Sequence, residues 1–333
     1  MRRAFQGAAG SRAARMRAMS VTMSQENIRS APAKRVTLDD VDSAERASRR
    51  RGILLMCGAL ICFATLDATG KWLSQSVPVW EVVWARYVGS TMLALAFMNP
   101  WRSPEGFSTR RPALQVLRAC LLFGSTAFNF LALRYLQLDE TMAILFAMPL
   151  VVSLLAGPML GEWVGPRRLA AIVVGFIGVL IVVRPGLGGM HWAALYCVAG
   201  LFCYALYSIL TRMLAATDSA LTTAFFGSVS GVVLLTPALP WFWTLPPTAG
   251  VWLGLAALGA LGGFGHYLLI AGHARAPAAV LAPYVYTQIV WMIGLGYLVF
   301  GNTPGPYTLI GASVVIASGL YLFYRERATR GDA

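Results

Sequence analysis

Charged residues are scarce in this chain, and acidic residues are the scarcest. Only 12% of the 333 residues are charged, with 14 Asp and Glu against 27 Lys and Arg. Soluble domains carry about a quarter charged residues, so this composition argues against a water-soluble globular protein. The three histidines and five cysteines form no metal-ligand spacing, and there is no phosphate-binding glycine loop. We therefore expect no metal, no cofactor and no ATP site.

Long apolar stretches fill the chain between Gly52 and Tyr324. Hydrophobic residues make up 57% of the sequence, and most stretches reach the roughly 20 residues that a helix needs to cross a bilayer. A segment at that depth must satisfy its own backbone hydrogen bonds, as a helix does. The sequence therefore predicts an all-α integral membrane protein with ten transmembrane helices. Their approximate bounds are 52–73, 79–98, 113–136, 141–160, 169–183, 192–214, 220–239, 249–271, 278–300 and 307–324.

The basic residues are distributed unevenly around these segments. Twelve of the 27 precede Gly52, and ten more fall on the same side of the membrane if the chain crosses ten times. Lys71, Arg134 and Arg184 fall on the other side. Basic loops are retained in the cytoplasm, so we expect a multi-pass protein of the cell inner membrane with both termini cytoplasmic. The net charge of +13 then implies contact with the lipid bilayer and not with nucleic acid, because no nucleic-acid motif accompanies it.

Residues 1–51 and 325–333 lie outside the apolar region. The first segment is basic and has no apolar core, which argues against a secretory signal peptide. It predicts a disordered cytoplasmic leader, although a mitochondrial presequence or an overextended gene start also fits, since Met16, Met19 and Met23 offer later starts. Residues 325–333 are expected to form a cytoplasmic tail.

The apolar region contains an internal repeat at an offset of about 140 residues. Gly161-Glu162 aligns with Gly301-Asn302, and Lys71 aligns with Arg212. The repeats, 52–186 and 187–324, hold five predicted helices each. Because five is odd, the two repeats must insert in opposite orientations. Inverted repeats can open a central site alternately to the two sides of a membrane, so the pattern favours transport.

Several short motifs in the chain are those of a known family. They are Arg86-Tyr87, Ala132–Leu136, Pro149-Leu150, Gly161-Glu162, Gly175, Gly178 and Arg184–Gly186. With them the chain resembles the drug/metabolite transporter superfamily, in its EamA-like branch of ten-helix proteins with two EamA repeats. The resemblance implies a secondary transporter of a small organic metabolite that works by alternating access, with import or export open. Candidate solutes by resemblance are S-adenosylmethionine-like, riboflavin-like or amino-acid-derived.

Two positions depart from that family pattern. The second repeat has Asn302 where the first has Glu162, and Pro149 in the fourth helix has no partner at Ile289. The ninth helix instead has its proline at Pro283, a variant that resembles members associated with S-adenosylmethionine uptake. Pro149 predicts an interruption of the fourth helix near mid-membrane.

Charged residues inside the membrane are costly and usually face a partner or a cavity. Asp67 and Lys71 are four residues apart and so share a helix face. They fit either a structural salt bridge near the outer end of the first helix or a site for coupling to protons or ions. Arg86 lies deep in the second helix. It fits either an anion clamp for the solute or a structural contact with Glu81 or with backbone carbonyls.

Uncharged polar and aromatic residues on four other helices complete the predicted solute site. They are Asn129, Tyr204, Tyr207, His266, Tyr284 and Gln288. Rings with a few convergent donors suit a planar or amphipathic organic solute. Each ring alone also fits lipid contact or packing, and a lone His also fits a structural hydrogen bond.

Two other function classes remain open beside transport. An intramembrane enzyme would need a catalytic pair facing one cavity, and only Asp67 or His266 could supply part of it. A structural or regulatory membrane protein would have no reason to keep polar groups in both repeats. We therefore predict a non-enzymatic transporter whose partner is a small-molecule solute; its oligomeric state stays open.

Overall fold

The computed structural model describes residues 38–98, 108–184, 191–215 and 217–331, and this part of the chain is helical without a strand. The all-α prediction is therefore confirmed. Residues 1–37 of the predicted leader lie outside the described residues, and the first helix begins at Leu38, before the predicted boundary. The α-helices are α1 Leu38–Leu73, α2 Val79–Met98, α3 Pro112–Leu133, α4 Leu138–Leu145, α5 Met148–Leu160, α6 Pro166–Val183, α7 Ala194–Leu214, α8 Ala220–Leu235, α9 Leu239–Phe242, α10 Ala249–His273, α11 Ala278–Val285, α12 Gln288–Phe300 and α13 Pro306–Gly331.

Nine spans in the described part of the chain are long and apolar enough to cross a membrane. The remaining predicted crossing is α2, which has the required length of 20 residues. Its mean hydropathy is lower because Glu81 and Arg86 lie within it. α2 packs between α8 and α10, as a crossing of the same bundle does. The fifth crossing, α6, begins at Pro166, before the predicted start, and so reaches 18 residues.

Local sequence signals set the ends of several helices. Ser219 and Thr248 precede α8 and α10, and each side chain accepts a hydrogen bond from a backbone N–H three residues on. α5 and α12 end at Gly161 and Gly301, whose φ angles of 74° and 69° lie in the left-handed region. Glycine adopts that conformation without the steric cost that a Cβ would impose. The two repeats therefore end their fourth helices in the same way.

The fourth and ninth crossings are both broken near their middles. α4 ends at Leu145 and α11 ends at Val285, 140 residues later, the same offset as the sequence repeat. The predicted interruption of the fourth helix is confirmed, but the sequence did not predict the second break. The prolines do not explain why the two breaks lie at corresponding positions of the repeats, since Pro149 follows the first break and Pro283 precedes the second. Discontinuous helices at corresponding positions are typical of inverted-repeat transporters.

Contacts between the repeats are reciprocal, as a pseudo-two-fold axis requires. Phe146 and Tyr286, one at each break, pack edge to face with ring centroids 5.1 Å apart. α6 and α13 cross closely. Gly178 on α6 faces Gly311 on α13, and the hydroxyl of Ser318 donates to the carbonyl of Ala171 at 2.5 Å. At an offset of 140, Ala171 corresponds to Gly311 and Gly178 to Ser318, so the second contact repeats the first.

The two ends of the bundle carry different loops, because consecutive crossings alternate in direction. We call one end the arginine-rich face; it carries Arg110, Arg111, Arg168, Arg212 and Arg275. The opposite face carries the ends of α1, α3 and α6. The two faces are used below to locate each contact.

On each face, a carboxylate near a second helix joins the two repeats. On the opposite face, Glu81 accepts hydrogen bonds from the backbone N–H and the hydroxyl of Thr244, both at 3.1 Å. On the arginine-rich face, Asp218 accepts from the Thr109 hydroxyl and from the N–H of Arg110. Partial burial alone would raise the pKa of Asp218, but these hydrogen bonds outweigh it and hold the pKa below its ordinary value. In both contacts a carboxylate near the second helix of one repeat binds the loop before the third helix of the other.

The crossing of α6 and α13 depends on the absence of side chains. A Cβ on Gly311 would lie 2.6 Å from the carbonyl oxygen of Gly178 and 2.5 Å from a methyl of Val182. We expect Gly311→Ala to destabilise the protein by about 1–3 kcal/mol, as overpacking does. Gly294→Ala is the control, because a Cβ there meets nothing within 4 Å and the helix gains up to about 1 kcal/mol. Thermal unfolding in detergent measures both, and equal melting temperatures would contradict the close crossing.

Candidate functional site

One face of α3 carries a line of polar residues that runs through the bundle. Gln115, Arg118, Thr126 and Asn129 recur at near-helical spacing, and each side chain bonds to a residue beyond α3. Residues three, four or seven apart share a helix face. The sequence signal was therefore present in α3, although only Asn129 was predicted as a site residue.

The predicted residues Asp67 and Asn129 meet between α1 and α3. The Asn129 side-chain amide donates to Oδ1 of Asp67 at 3.0 Å. Asp67 lies six residues before the end of α1, about 9 Å along the helix at 1.5 Å per residue. The pair therefore lies nearer the opposite face than mid-depth. Oδ1 of Asn129 is buried, and no residue that the structure describes donates a hydrogen bond to it.

Arg86 lies next to this pair and is held by α3. Its Nη1 donates to the Thr126 hydroxyl at 2.9 Å, and the Tyr87 hydroxyl lies 3.2 Å from the same oxygen. Arg86 lies close enough to Asp67 for the guanidinium and the carboxylate to attract each other electrostatically. Glu81 binds Thr244, and in the described part of the chain no hydrogen bond or ion pair joins it to Arg86, so the structural contact between them that the sequence left open is not formed. The Nε of Arg86 is buried and has no hydrogen-bond partner among the described residues.

His266 on α10 completes this group from the other repeat. Its ring packs edge-on against Phe63 with centroids 5.1 Å apart, and it is exposed although the charge of Arg86 acts on it. The structure thus brings four predicted residues together: Asp67, Arg86, Asn129 and His266.

The hydrogen bonds of this group leave a specific set of polar atoms available. Thr126 occupies Nη1 of Arg86, so the edge formed by Nε and Nη2 remains, and that edge offers two parallel N–H donors. Asn129 occupies one oxygen of Asp67, so the second carboxylate oxygen remains as an acceptor. The amide oxygen of Asn129 is a further acceptor. The group can therefore bind an acidic and a basic moiety at the same time.

Tyr204 and Tyr207 belong to a second group, around Arg118. Arg118 is 2% exposed, and its guanidinium donates to Thr211, to the carbonyl of Thr223 and to the Tyr207 hydroxyl at 2.7, 2.8 and 3.1 Å. It also lies over the Tyr207 ring, which packs against Tyr204. A buried guanidinium with this many partners fastens α3 to α7 and α8. An arginine within a transmembrane segment indicates that a polar partner or a cavity lies nearby, but the sequence does not identify which residues are the hydrogen-bond partners of Arg118.

Lys71 has a structural role and does not pair with Asp67. Its ammonium donates to the carbonyls of Leu133 and Leu136 at 2.8 and 2.6 Å, where α3 ends. The last carbonyl groups of a helix have no hydrogen-bond partner within the helix. Lys71 is only 8% exposed, and its ammonium is the donor for two carbonyls at this helix end. The expected salt bridge with Asp67 is wrong, because a helix end within reach offers two acceptors to the one cation.

Tyr284 and Gln288 lie on either side of the break between α11 and α12. Tyr284 packs against a cluster formed by Met56, Leu60, Ala276 and Leu281, whose two α1 members lie at least seven residues along that helix from Asp67. Gln288 is 8% exposed, and its side chain makes no hydrogen bond with the residues that the structure describes. Their position beside a helix break is compatible with a cavity wall, but the contacts do not join them to Asp67 and Arg86.

An open pocket of about 390 Å³ lies on the opposite face. It is lined by Ser74, Gln75, Ser76, Val77, Pro78, Arg134, Thr244, Leu245 and Pro247. These residues lie at helix ends, and none is a predicted site residue. The partly buried polar group around Asp67 and Arg86, which includes four of the predicted residues, is therefore the better candidate for solute binding.

Comparisons with known proteins agree with the inverted-repeat fold. The model of the EamA-like transporter family matches residues 50–184 and 191–325. The S-adenosylmethionine uptake transporter of Rickettsia prowazekii is 26% identical over 277 residues, 83% of this chain and 93% of that protein. The riboflavin transporter of Rhizobium johnstonii is 28% identical over 282 residues, 83% of this chain and 91% of that protein. A crystal structure with 20% identity superposes with a TM-score of 0.60 over 85% of this chain and 99% of that one.

The structural role of Lys71 can be tested by removing its charge. Lys71→Met leaves the carbonyls of Leu133 and Leu136 without their donor, so we expect a loss of about 1–3 kcal/mol in stability. Lys71→Arg keeps a donor and should lose less. Thermal unfolding measures the loss and a transport assay measures function. Unchanged melting with abolished transport would instead support a coupling role.

Gln288 allows the reverse test. Because its side chain is buried without a hydrogen bond to a described residue, Gln288→Ala should change the melting temperature little. If Gln288 contacts the solute, the variant should weaken apparent solute affinity. A lower melting temperature with normal transport would make Gln288 a packing residue and remove it from the site.

Proposed function

We propose a binding site and a solute class for this chain, which belongs to the EamA-like transporter family. Its function is the transport of a small organic metabolite across a membrane. The proposed site consists of Asp67, Arg86, Asn129 and His266. Tyr204, Tyr207, Tyr284 and Gln288 are proposed as more distant wall residues of the same pathway.

The proposed solute carries the head group of an α-amino acid. One observation supports this class: Nε of Arg86 and Oδ1 of Asn129 are buried without a hydrogen-bond partner among the described residues, and the hydrogen bond from Asn129 uses one of the two carboxylate oxygens of Asp67. A carboxylate matches the donor edge bidentately, and an ammonium matches the acceptors. At membrane depth both charges of the protein need such partners. A zwitterionic solute supplies them together.

This chemistry favours an S-adenosylmethionine-like solute over a riboflavin-like one. S-Adenosylmethionine carries an α-amino and an α-carboxylate group at one end and an aromatic base at the other, whereas riboflavin has neither charged group. The rings of Phe63 and His266 lie beside the charged group and offer stacking surfaces for the base. The name of the Rickettsia relative supports the same class.

Movement of the solute is proposed to follow alternating access of the two inverted repeats. The sequence has no phosphate-binding loop, so a gradient of solute or of an ion is the proposed driving force. Asp67 is the proposed group for proton coupling, because its second oxygen is not hydrogen-bonded within the protein. Lys71 is proposed to hold α1 against α3 instead. No catalytic step is proposed for the chain.

The arginine-rich face is proposed to lie in the cytoplasm, with the chain in the cell inner membrane. The support is the excess of basic residues on that side. A single cysteine at Asn302 should then react with an impermeant reagent from the periplasmic side. Reaction from the cytoplasmic side alone would contradict this orientation.

Transport by purified protein in proteoliposomes tests the solute class. We expect uptake of radiolabelled S-adenosylmethionine when it is added outside the liposomes, or its release when it is loaded inside them. Asp67→Asn and Arg86→Lys should each weaken apparent affinity about tenfold or more, the effect of losing a charge-assisted hydrogen bond of ~1.5–3 kcal/mol. Ser208→Ala is the control, because Ser208 is the repeat counterpart of Asp67 and bonds to its own helix.

The outcomes separate the solute class from transport itself. Transport of riboflavin but not of S-adenosylmethionine, unaffected by Asp67→Asn, would overturn the zwitterion site and leave transport in place. Equal effects of Ser208→Ala and Asp67→Asn would also count against the site.

A further inference from the structure

The Gly161-Glu162 motif has no part in the proposed solute site, yet the structure gives it a defined geometry. Gly161 ends α5 in the left-handed region, and its N–H and that of Glu162 donate to the carbonyls of Gly157 and Ala156 at 3.0 and 3.2 Å. These two bonds fix the direction in which the chain leaves the helix. The side chain of Glu162 is thereby held on the arginine-rich face beside the end of α7.

Glu162 pairs with Arg212 in a two-point contact. Nη1 and Nη2 of Arg212 donate to the two carboxylate oxygens of Glu162 at 2.9 and 2.5 Å. Parallel bonds of this kind specify the relative orientation of the two groups. Glu162 belongs to the first repeat and Arg212 to the second, and α5 packs against α7. The contact therefore joins the two halves at one end of the bundle.

The other face has the same backbone geometry without the charge. Gly301 and Asn302 follow α12 with matching hydrogen bonds, to Tyr297 and Gly296 at 2.9 and 3.0 Å. The counterpart of Arg212 is Lys71, which is buried and bound to the end of α3 within its own repeat. The repeat thus places a basic residue at corresponding positions near both faces but a carboxylate on the arginine-rich face alone, and among the described residues the Glu162–Arg212 pair forms there between the repeats.

We propose that the Glu162–Arg212 ion pair is a gate that closes the arginine-rich end of the solute pathway and must break when that end opens. The two side chains are 49% and 56% exposed, so water can replace their partners and the contact opens at little cost. Two halves that rock about a pseudo-two-fold axis separate at one face while they approach at the other. Because Asn302 cannot form the equivalent ion pair, the gate favours closure at one face only.

The gate rests on alternating access but not on the identity of the solute. Its test therefore uses accessibility, measured without any solute. In a cysteine-free background, Ser208→Cys places a reporter on α7, one turn from Arg212 toward the bundle interior. An impermeant maleimide is applied from the arginine-rich face, and the labelling rate reports how often that end opens. Membrane vesicles of both orientations are used, so the result does not depend on the proposed topology.

Glu162→Gln and Arg212→Gln should each raise the labelling rate about two- to fivefold, the change that loss of an exposed ion pair produces in an equilibrium. Asn302→Gln is the matched control on the other face and should leave the rate unchanged. The exchange of both charges, Glu162→Arg with Arg212→Glu, should restore a slow rate. Restoration separates an ion-pair gate from a role of either residue in packing.

Two results would overturn the proposal. One is a labelling rate that is the same in Glu162→Gln as in the parent. The other is an exchange variant that labels as fast as the single variants. If a variant does not fold, the parent protein still gives an answer, because salt screens exposed charges. Labelling of the parent should then speed up as ionic strength rises, and a rate independent of salt would contradict the gate.

Discussion

The structure depends on one constraint, which is that a polar atom inside the membrane must find its partner within the protein. Lys71 meets it by binding two carbonyls at the end of α3. Arg118 meets it with partners on α7 and α8. These contacts fasten helices that apolar packing alone would leave free to slide, since lipid tails are as apolar as leucine. Nε of Arg86 and Oδ1 of Asn129 are among the buried polar atoms without a partner in the described part of the chain, and the proposed solute would supply the partner that these two atoms lack.

Pseudo-symmetry organises the same constraint across the two halves. The contacts between α6 and α13 are reciprocal, and the helix breaks lie 140 residues apart. The backbone is therefore arranged in the same way relative to both faces of the membrane. The departures from symmetry carry the chemistry. Asp67 corresponds to Ser208, and Glu162 corresponds to Asn302. A symmetric backbone with asymmetric charges can exchange two conformations and still give them unequal stability.

Sequence reasoning selected part of the proposed site because charge at membrane depth is visible without a structure. It selected Asp67, Arg86, Asn129 and His266, which the fold groups, but it also paired Asp67 with Lys71. Spacing of four residues shows that two side chains share a face, and it says nothing about the acceptors on a neighbouring helix. Thr126 was missed for the same reason, since a threonine in an apolar helix carries no signal until Arg86 is placed beside it.

The sequence by itself determined the membrane crossings, the repeat and the opposite orientation of its halves. These follow from the length of the apolar runs, from the internal repeat and from the odd number of helices in each repeat. All three can be read along the chain without knowing which helices pack together. Tertiary structure alone decided which of the described polar atoms are paired and which are not. It also placed the second helix break, at Tyr286 and opposite Phe146. The physical reason is that helical periodicity fixes the face on which a side chain lies, whereas its partner depends on the helix that packs there.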